Sequence, residues 1–365
     1  MKNKIFLVFT ILLVSLTACQ NQDWEFDDFE YQSVYFAYQY PVRTITLGED
    51  VFDTSLDNEY KCKIYATLAG VYDNDKDVTI DFSVADPLTT GLLFGEGGSQ
   101  INAMPSNYYS LLSDKIKIPK GELKGAIDVQ LTDDFFADPL AIKNTYVIPI
   151  QMNNVVNADT ILSGEALFPG AKRGLDAEWS KAPKDFIFYA VKYINKWHGN
   201  YLRRGIDVVT KDGNKVTEER KEEYVEYDEV VKLNTTSLSE LIYPIDYKTK
   251  YGVNLNFKTD ILFDQDNKCT LKERETSYQL NDSTSVYNIS VSGTGAFVKD
   301  GEKKSWGNKD RDAMYLDYIV NYEIKTSFPV SGAADDIQVV KYETNDTLVM
   351  RDRAVSFETF IPVSQ

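Results

Sequence analysis

Acid–base catalysis by histidine is limited to a single residue in this chain of 365 residues. Its one histidine, His198, sits in the run Trp197-His198-Gly199-Asn200-Tyr201. No serine or cysteine lies in a strand-turn-helix elbow that would present a nucleophile to it, so His198 reads as structural. Fifty-six Asp and Glu make chance pairing inevitable, and a glycosidase geometry does not follow from composition. The spaced signature Asp-x-x-Asp-x-Asp-x-Glu is absent. Asp73, Asp75 and Asp77 have the one-three-five spacing of a calcium loop, but Val78 stands where glycine is needed and Val84 where glutamate is needed. That segment reads as a solvated hairpin turn. One histidine and three cysteines build no zinc site. The expectation is a non-enzyme without metal or cofactor.

Binding chemistry is better provided for. The chain holds 24 Tyr, 19 Phe and 4 Trp, enough to fill two β cores and leave some rings exposed. Sugars lay their C–H faces on such rings while Asn, Asp and Arg bond the hydroxyls. Trp306 is the leading candidate, because Lys299 to Lys309 is polar throughout and leaves the indole stranded on a hairpin loop. Asn308 and Tyr315 join it as ligand-binding candidates. Tyr108 and Tyr109, beside Asn107, form a second and weaker pair.

The leader supplies the address. Lys2 and Lys4 precede an apolar run from Ile5 to Leu16, and Leu16-Thr17-Ala18-Cys19 is a lipobox. Cleavage after residue 18 leaves Cys19 as the lipidation site, where two acyl signals anchor stably. Residues 19–32 then read as a polar, acidic tether, and the expected location is the outer membrane surface. The net charge of −17 becomes more negative once Lys2 and Lys4 leave. Such a field repels nucleic acid and anionic head groups. Cys62 and Cys269 fall in separate predicted domains and read as buried free thiols.

The elements that position these residues are read as all-β. From Ser33 to Phe168, short alternating runs separated by turns predict an immunoglobulin-like β-sandwich over 33–168. Residues 169–182, rich in Gly, Ala, Lys and Pro, read as a linker. Phe186, Tyr189, Ala190, Tyr193, Ile194 and Trp197 then recur at three- and four-residue spacing, which predicts one short amphipathic helix opening a domain over 183–365. Strands follow over 200–209, 223–233, 252–263, 269–278, 286–297, 314–324, 339–341 and 355–361. Asp212-Gly213 is one of their turns. Eight consecutive antiparallel strands suggest an up-and-down, lipocalin- or calycin-like barrel, with a second sandwich as the alternative. In a barrel, Met314, Leu316, Tyr318, Val320, Tyr322 and Ile324 share the lumen face, and Tyr315, Asp317, Asn321 and Glu323 the other.

The stretch from Tyr35 to Ile150, with Tyr108-Tyr109-Ser110-Leu111, Ile116-Lys117-Ile118-Pro119-Lys120-Gly121 and Tyr146-Val147-Ile148-Pro149-Ile150, resembles the immunoglobulin-like N-terminal module of Bacteroidetes surface lipoproteins. The second half is similar to their C-terminal β domains around Tyr193 to Tyr201 and Ser305 to Lys309. Such lipoproteins often accompany polysaccharide-utilisation genes. The resemblance implies capture of a polysaccharide or oligosaccharide for a neighbouring outer-membrane transporter. An adhesin or protein-interaction subunit, or a barrel enclosing a small apolar ligand, are the alternatives.

Overall fold

A computed structural model describes residues 31–249, 252–328 and 333–365. The lipobox and Cys19 lie outside the described residues. The chain is all-β, and the described helices are a few short turns such as Ser55–Asn58 and Asp133–Ala137.

The N-terminal half is a sandwich. One sheet orders its strands Thr160–Ile161, Ser33–Tyr35, Lys61–Ala69, Lys124–Leu131, Tyr109–Leu111. The other runs Glu358–Thr359, Pro41–Thr46, Phe186–Ile194, Tyr146–Val156, Val78–Val84, Lys115–Ile118. Alternation decides which side chains meet between them. In Lys124–Leu131 every second residue is buried, and Ile127 and Val129 pack with Ile64, Ile80, Ile118 and Ile148 from both sheets.

Phe186–Ile194 corrects the predicted helix, because it is a strand. It lies centrally, between Pro41–Thr46 and Tyr146–Val156, and is covered on both faces. Ile187, Tyr189, Val191 and Tyr193 enter the main core, while Phe186, Phe188 and Ala190 pack on the other side with Val42, Val147 and Phe360. A strand apolar on both faces loses its two-residue alternation, and its long apolar run then satisfies a helical template equally well.

The boundary moves with it. Residues 169–182 pack along the sandwich rather than bridging two domains: Arg173 pairs with the buried Asp185 at 2.8 Å, and Trp179–Lys181 pairs with Glu165–Ala166. The crossing occurs at Asn195 to His198. The final segment also returns to the sandwich, since Glu358–Thr359 pairs with Pro41 and Val42, and Val363–Ser364 with Leu92 and Leu93. The strand expected over 355–361 therefore belongs to the first half.

The second half is a closed barrel of eight antiparallel strands: Gly199–Lys211, Glu229–Ser237, Glu240–Lys248, Asn254–Phe263, Lys268–Glu273, Thr284–Glu302, Arg311–Phe328 and Ala333–Asp352. The last pairs back onto the first from Asp352 to Val340, so neither is a free edge. Sequence reading passed over Glu240–Lys248, where Pro244 interrupts the strand pattern. Asp212 and Gly213 both take positive φ in the hairpin leading to Asn214–Arg220, as a two-residue turn between twisted strands requires.

The lumen is filled by side chains. Met314, Leu316, Tyr318, Val320, Tyr322 and Ile324 are buried there, with Tyr201, Tyr243, Tyr247 and Tyr342. Tyr247 stacks on Tyr342 at 3.8 Å. Asp346 accepts from Tyr318 at 2.7 Å, Tyr243 at 2.8 Å, Arg203 at 3.1 Å and Arg220 at 2.6 Å. Burial pushes the Asp346 carboxyl up, but the two guanidiniums outweigh it and hold it below the usual carboxylate range. A lumen occupied in this way does not favour the small-apolar-ligand alternative.

At the junction, Arg353 is buried and donates to four carbonyls: His198 at 2.8 Å, Glu49 at 2.8 Å, Leu47 at 2.9 Å and Asn195 at 2.7 Å. The guanidinium ties the end of the barrel to the end of a sandwich strand. Trp197 stacks on Phe263 at 3.9 Å. His198 Nδ1 accepts from the Thr235 N–H at 3.1 Å, and burial drives its pKa down to about 3. Cys62 and Cys269 are buried and unpaired, one in each half.

Candidate functional site

Because the lumen is occupied, the concave surface that the barrel offers lies on the outside of its wall. The alternation that buries Leu316 and Tyr318 turns Tyr315, Asp317 and Ile319 outward. Register then sets their neighbours. Across the sheet, Leu262 pairs with Thr270, Thr270 with Thr294, Thr294 with Asp317, Asp317 with Asn345, and Asn345 with Ile206. The adjacent outward row runs Lys268, Ala296, Tyr315, Thr347, Arg204. At a strand spacing of about 4.8 Å, the six strands carrying the first row span about 24 Å of curved wall.

Two glycines dent this wall. A Cβ on Gly293 would lie 2.3 Å from Tyr318 Cβ, and one on Gly295 would lie 2.6 Å from Leu316 Cδ2. Without inward side chains at these two positions, the strand settles against the lumen residues of its neighbour. Outside lies a cleft of about 750 Å³, lined among others by Leu262, Asp264, Lys268, Thr294, Tyr315 and Asp317. It shares Thr294, Asp317 and Asn345 with a second depression of about 650 Å³ that reaches Ile206 and Glu343.

The lining is chemically mixed: two threonine hydroxyls, the Asn345 amide, carboxylates from Asp264 and Asp317, the Lys268 ammonium and the aromatic residues Phe263 and Tyr315. Tyr315 donates to Glu302 Oε1 at 2.8 Å, which fixes the ring on the cleft wall. Partial burial, and then Glu302, push its phenol up to about 12, so it is neutral at ordinary pH. The arrangement offers donors, acceptors and a ring on rigid strands, suited to a polyhydroxylated ligand.

Of the residues singled out from sequence, Tyr315 lines this cleft. Trp306 is folded onto the barrel rim: its indole N–H donates to the Met350 carbonyl at 3.3 Å, and the Arg311 guanidinium covers its ring at 3.5 Å. A polar loop sequence does not reveal that fold-back. Asn308 is exposed on the same hairpin, with φ of 54°. Tyr108 and Tyr109 lie in the sandwich. Tyr108 donates to Asp138 at 3.1 Å and packs edge-on against Phe135 and Tyr146, and Tyr109 is half-buried in the edge strand Tyr109–Leu111. The structure therefore does not bring this pair to the barrel cleft. Thr270, Thr294 and Asn345 were not singled out; the run Gly293-Thr294-Gly295 was the available signal, since glycines inside a strand mark a close approach of backbone.

Among known families, residues 196–354 match a domain of unknown function (DUF5627), and residues 29–159 match an N-terminal-domain model. The solved structure of a Bacteroides ovatus protein of unknown function is 40% identical, with a TM-score of 0.82, covering 92% of this chain and 100% of its own. A multidomain protein from Bacteroides ovatus that includes DUF1735 is 11% identical at a TM-score of 0.40, covering 90% and 100%. An auxiliary nutrient binding protein from Bacteroides thetaiotaomicron is 13% identical at 0.35, covering 87% and 95%. These last two are too distant to bear on function. None of the curated proteins compared matches the chain.

Proposed function

The chain belongs to the same family as the Bacteroides ovatus protein of unknown function, and for this family member we propose glycan capture without turnover at the bacterial surface. Cys19 is the lipid anchor in this reading, the sandwich holds the barrel away from the membrane, and the outer wall of the barrel receives the ligand for a neighbouring transporter. The observation that carries the proposal is the cleft itself. It places Thr270, Thr294, Asp317, Asn345 and the ring of Tyr315 on one strand-built surface, and rigid elements hold contact groups more accurately than loops do. Its open shape suits a segment of a longer chain better than a small molecule enclosed on all sides. The acidic surface favours a neutral glycan over a polyanionic one.

Affinity electrophoresis of the leaderless protein against neutral polysaccharides tests this. Retardation by at least one of them, lost on Asp317→Ala and reduced on Asn345→Ala with unchanged melting temperature, is the expected result. A protein that no neutral polysaccharide retards, or that cleaves one at a rate abolished by a single substitution, overturns the proposal.

A further inference from the structure

The row that carries Tyr315 ends at Arg204, and there the wall bears a feature that the cleft does not account for. Between Asn214–Arg220 and Glu229–Ser237 the chain forms a short 3-10 turn over Val225–Tyr227. Tyr224 and Tyr227 are 54% and 70% exposed, and their rings meet edge to face at 6.0 Å and 87°. That arrangement leaves ring faces open to solvent. The turn is nevertheless held from below. Asp228 is buried and accepts from Arg204 Nε at 2.6 Å and from the Glu222 N–H at 2.8 Å. The Tyr227 and Asp228 N–H groups close the turn onto the Tyr224 and Val225 carbonyls at 3.0 Å each.

With Asp228 buried and Arg204 partly so, this ion pair contributes little net stability, because desolvation offsets the attraction; what it supplies is a fixed geometry. Here the geometry fixed is that of two exposed aromatic rings. Arg204 is also the register partner of Thr347, which is the partner of Tyr315, and Ile206, two residues on, lines the second depression. The tyrosine turn thus stands at the end of the strip that begins at Lys268.

We infer that Tyr224 and Tyr227 form a second contact of the same site, a stacking platform for an extended neutral glycan that crosses the barrel strands from the cleft. This rests on the glycan reading above and adds that the ligand is a chain long enough to reach both. Charge selects the occupant: Glu222, Glu223 and Glu226 are exposed around the rings, which repels anionic glycans and offers acceptors to sugar hydroxyls. An aromatic face stacks on apolar C–H surface whatever the sugar.

The test uses the whole leaderless protein and the polysaccharide that retards it most in affinity gels, cut to its disaccharide and hexasaccharide for calorimetry. Replacing both tyrosines (Tyr224→Ala with Tyr227→Ala) is expected to weaken hexasaccharide binding about tenfold and leave disaccharide binding in the cleft unchanged. The paired Tyr→Phe variant, which keeps the rings, restores binding. Both positions are exposed, so the melting temperature serves as the folding control. If the double alanine variant binds hexasaccharide like the wild type while Asp317→Ala abolishes binding, the platform is overturned and the cleft stands. If it weakens both oligosaccharides equally, the two contacts are not spaced along one chain and the inference also fails. If no polysaccharide retards the wild type, the glycan reading falls and takes the platform with it.

Discussion

Between the sheets of the sandwich the fully buried side chains are aliphatic ones such as Ile45, Ile64 and Ile80 with Phe36, Phe135, Phe136 and Tyr193 among them, whereas inside the barrel Tyr243 and Tyr318 close on the buried Arg203 and Asp346. The contrast has a geometric origin. Two sheets approach until aliphatic side chains interdigitate, at about 10 Å. A closed barrel cannot shrink in the same way, because strand number and tilt fix its radius. Its centre is reached by long side chains, and long side chains with polar tips must bond to one another there. Such a barrel is plugged by its own residues, and the concave surface it offers lies on the outer wall.

The strongest challenge to this comparison is Asp346→Asn. It leaves Arg203 and Arg220 facing each other with one carboxylate fewer, and a broken buried pair costs about 3–5 kcal/mol. Chemical denaturation should show that loss in the unfolding free energy. A cost below about 1 kcal/mol would mean that the lumen is not held by its polar network.

Arg353→Ala sharpens the comparison from the boundary between the two regions. Four carbonyls lose a charged donor, at about 2–4 kcal/mol in sum. Because the guanidinium joins the two halves, calorimetry is expected to resolve two melting transitions where the wild type gives one. A single transition, shifted or not, would show that Arg353 is not what couples the halves. Arg353→Lys should behave like the alanine variant, since a point ammonium cannot reproduce the planar set of donors.

The smallest expected effect concerns His198 at the same junction. Its pKa falls from 6.5 to about 3, through burial first and then the positive charges of Lys232, Arg353 and Lys192. The unfolded chain therefore takes up a proton near 6.5 that the folded chain refuses until about 3. Stability is unaffected above that window and falls by about 1 kcal/mol per pH unit within it. In His198→Asn the denaturation midpoint should fall less steeply than in the wild type as the solution is acidified from neutral pH. Parallel curves would show that His198 titrates normally in the folded chain.

How much could be read beforehand varies by region for physical reasons. The strand expected over 314–324 was legible because one face is solvated and its alternation survives. Phe186–Ile194 was not, because burial on both faces erased it. The strand expected over 223–233 began too early, since Tyr224 and Val225 look β-like in sequence while Asp228 folds them into a turn on Arg204. Trp306 was correctly placed on a hairpin loop, but no local pattern indicated Arg311 over its ring.

By itself, the sequence determined the all-β character, most of the strands, the two-residue turn at Asp212 and Gly213, and which side chains of Arg311–Phe328 face inward, because each depends on residues adjacent or two apart. Tertiary structure alone decided that Thr270, Thr294, Asp317 and Asn345 lie side by side, that Phe186–Ile194 belongs to the sandwich, and that Arg353 joins the halves. Those outcomes depend on the register between strands distant in sequence. Register is settled by the packing of the whole sheet, since a slip of one residue would turn every lumen side chain outward.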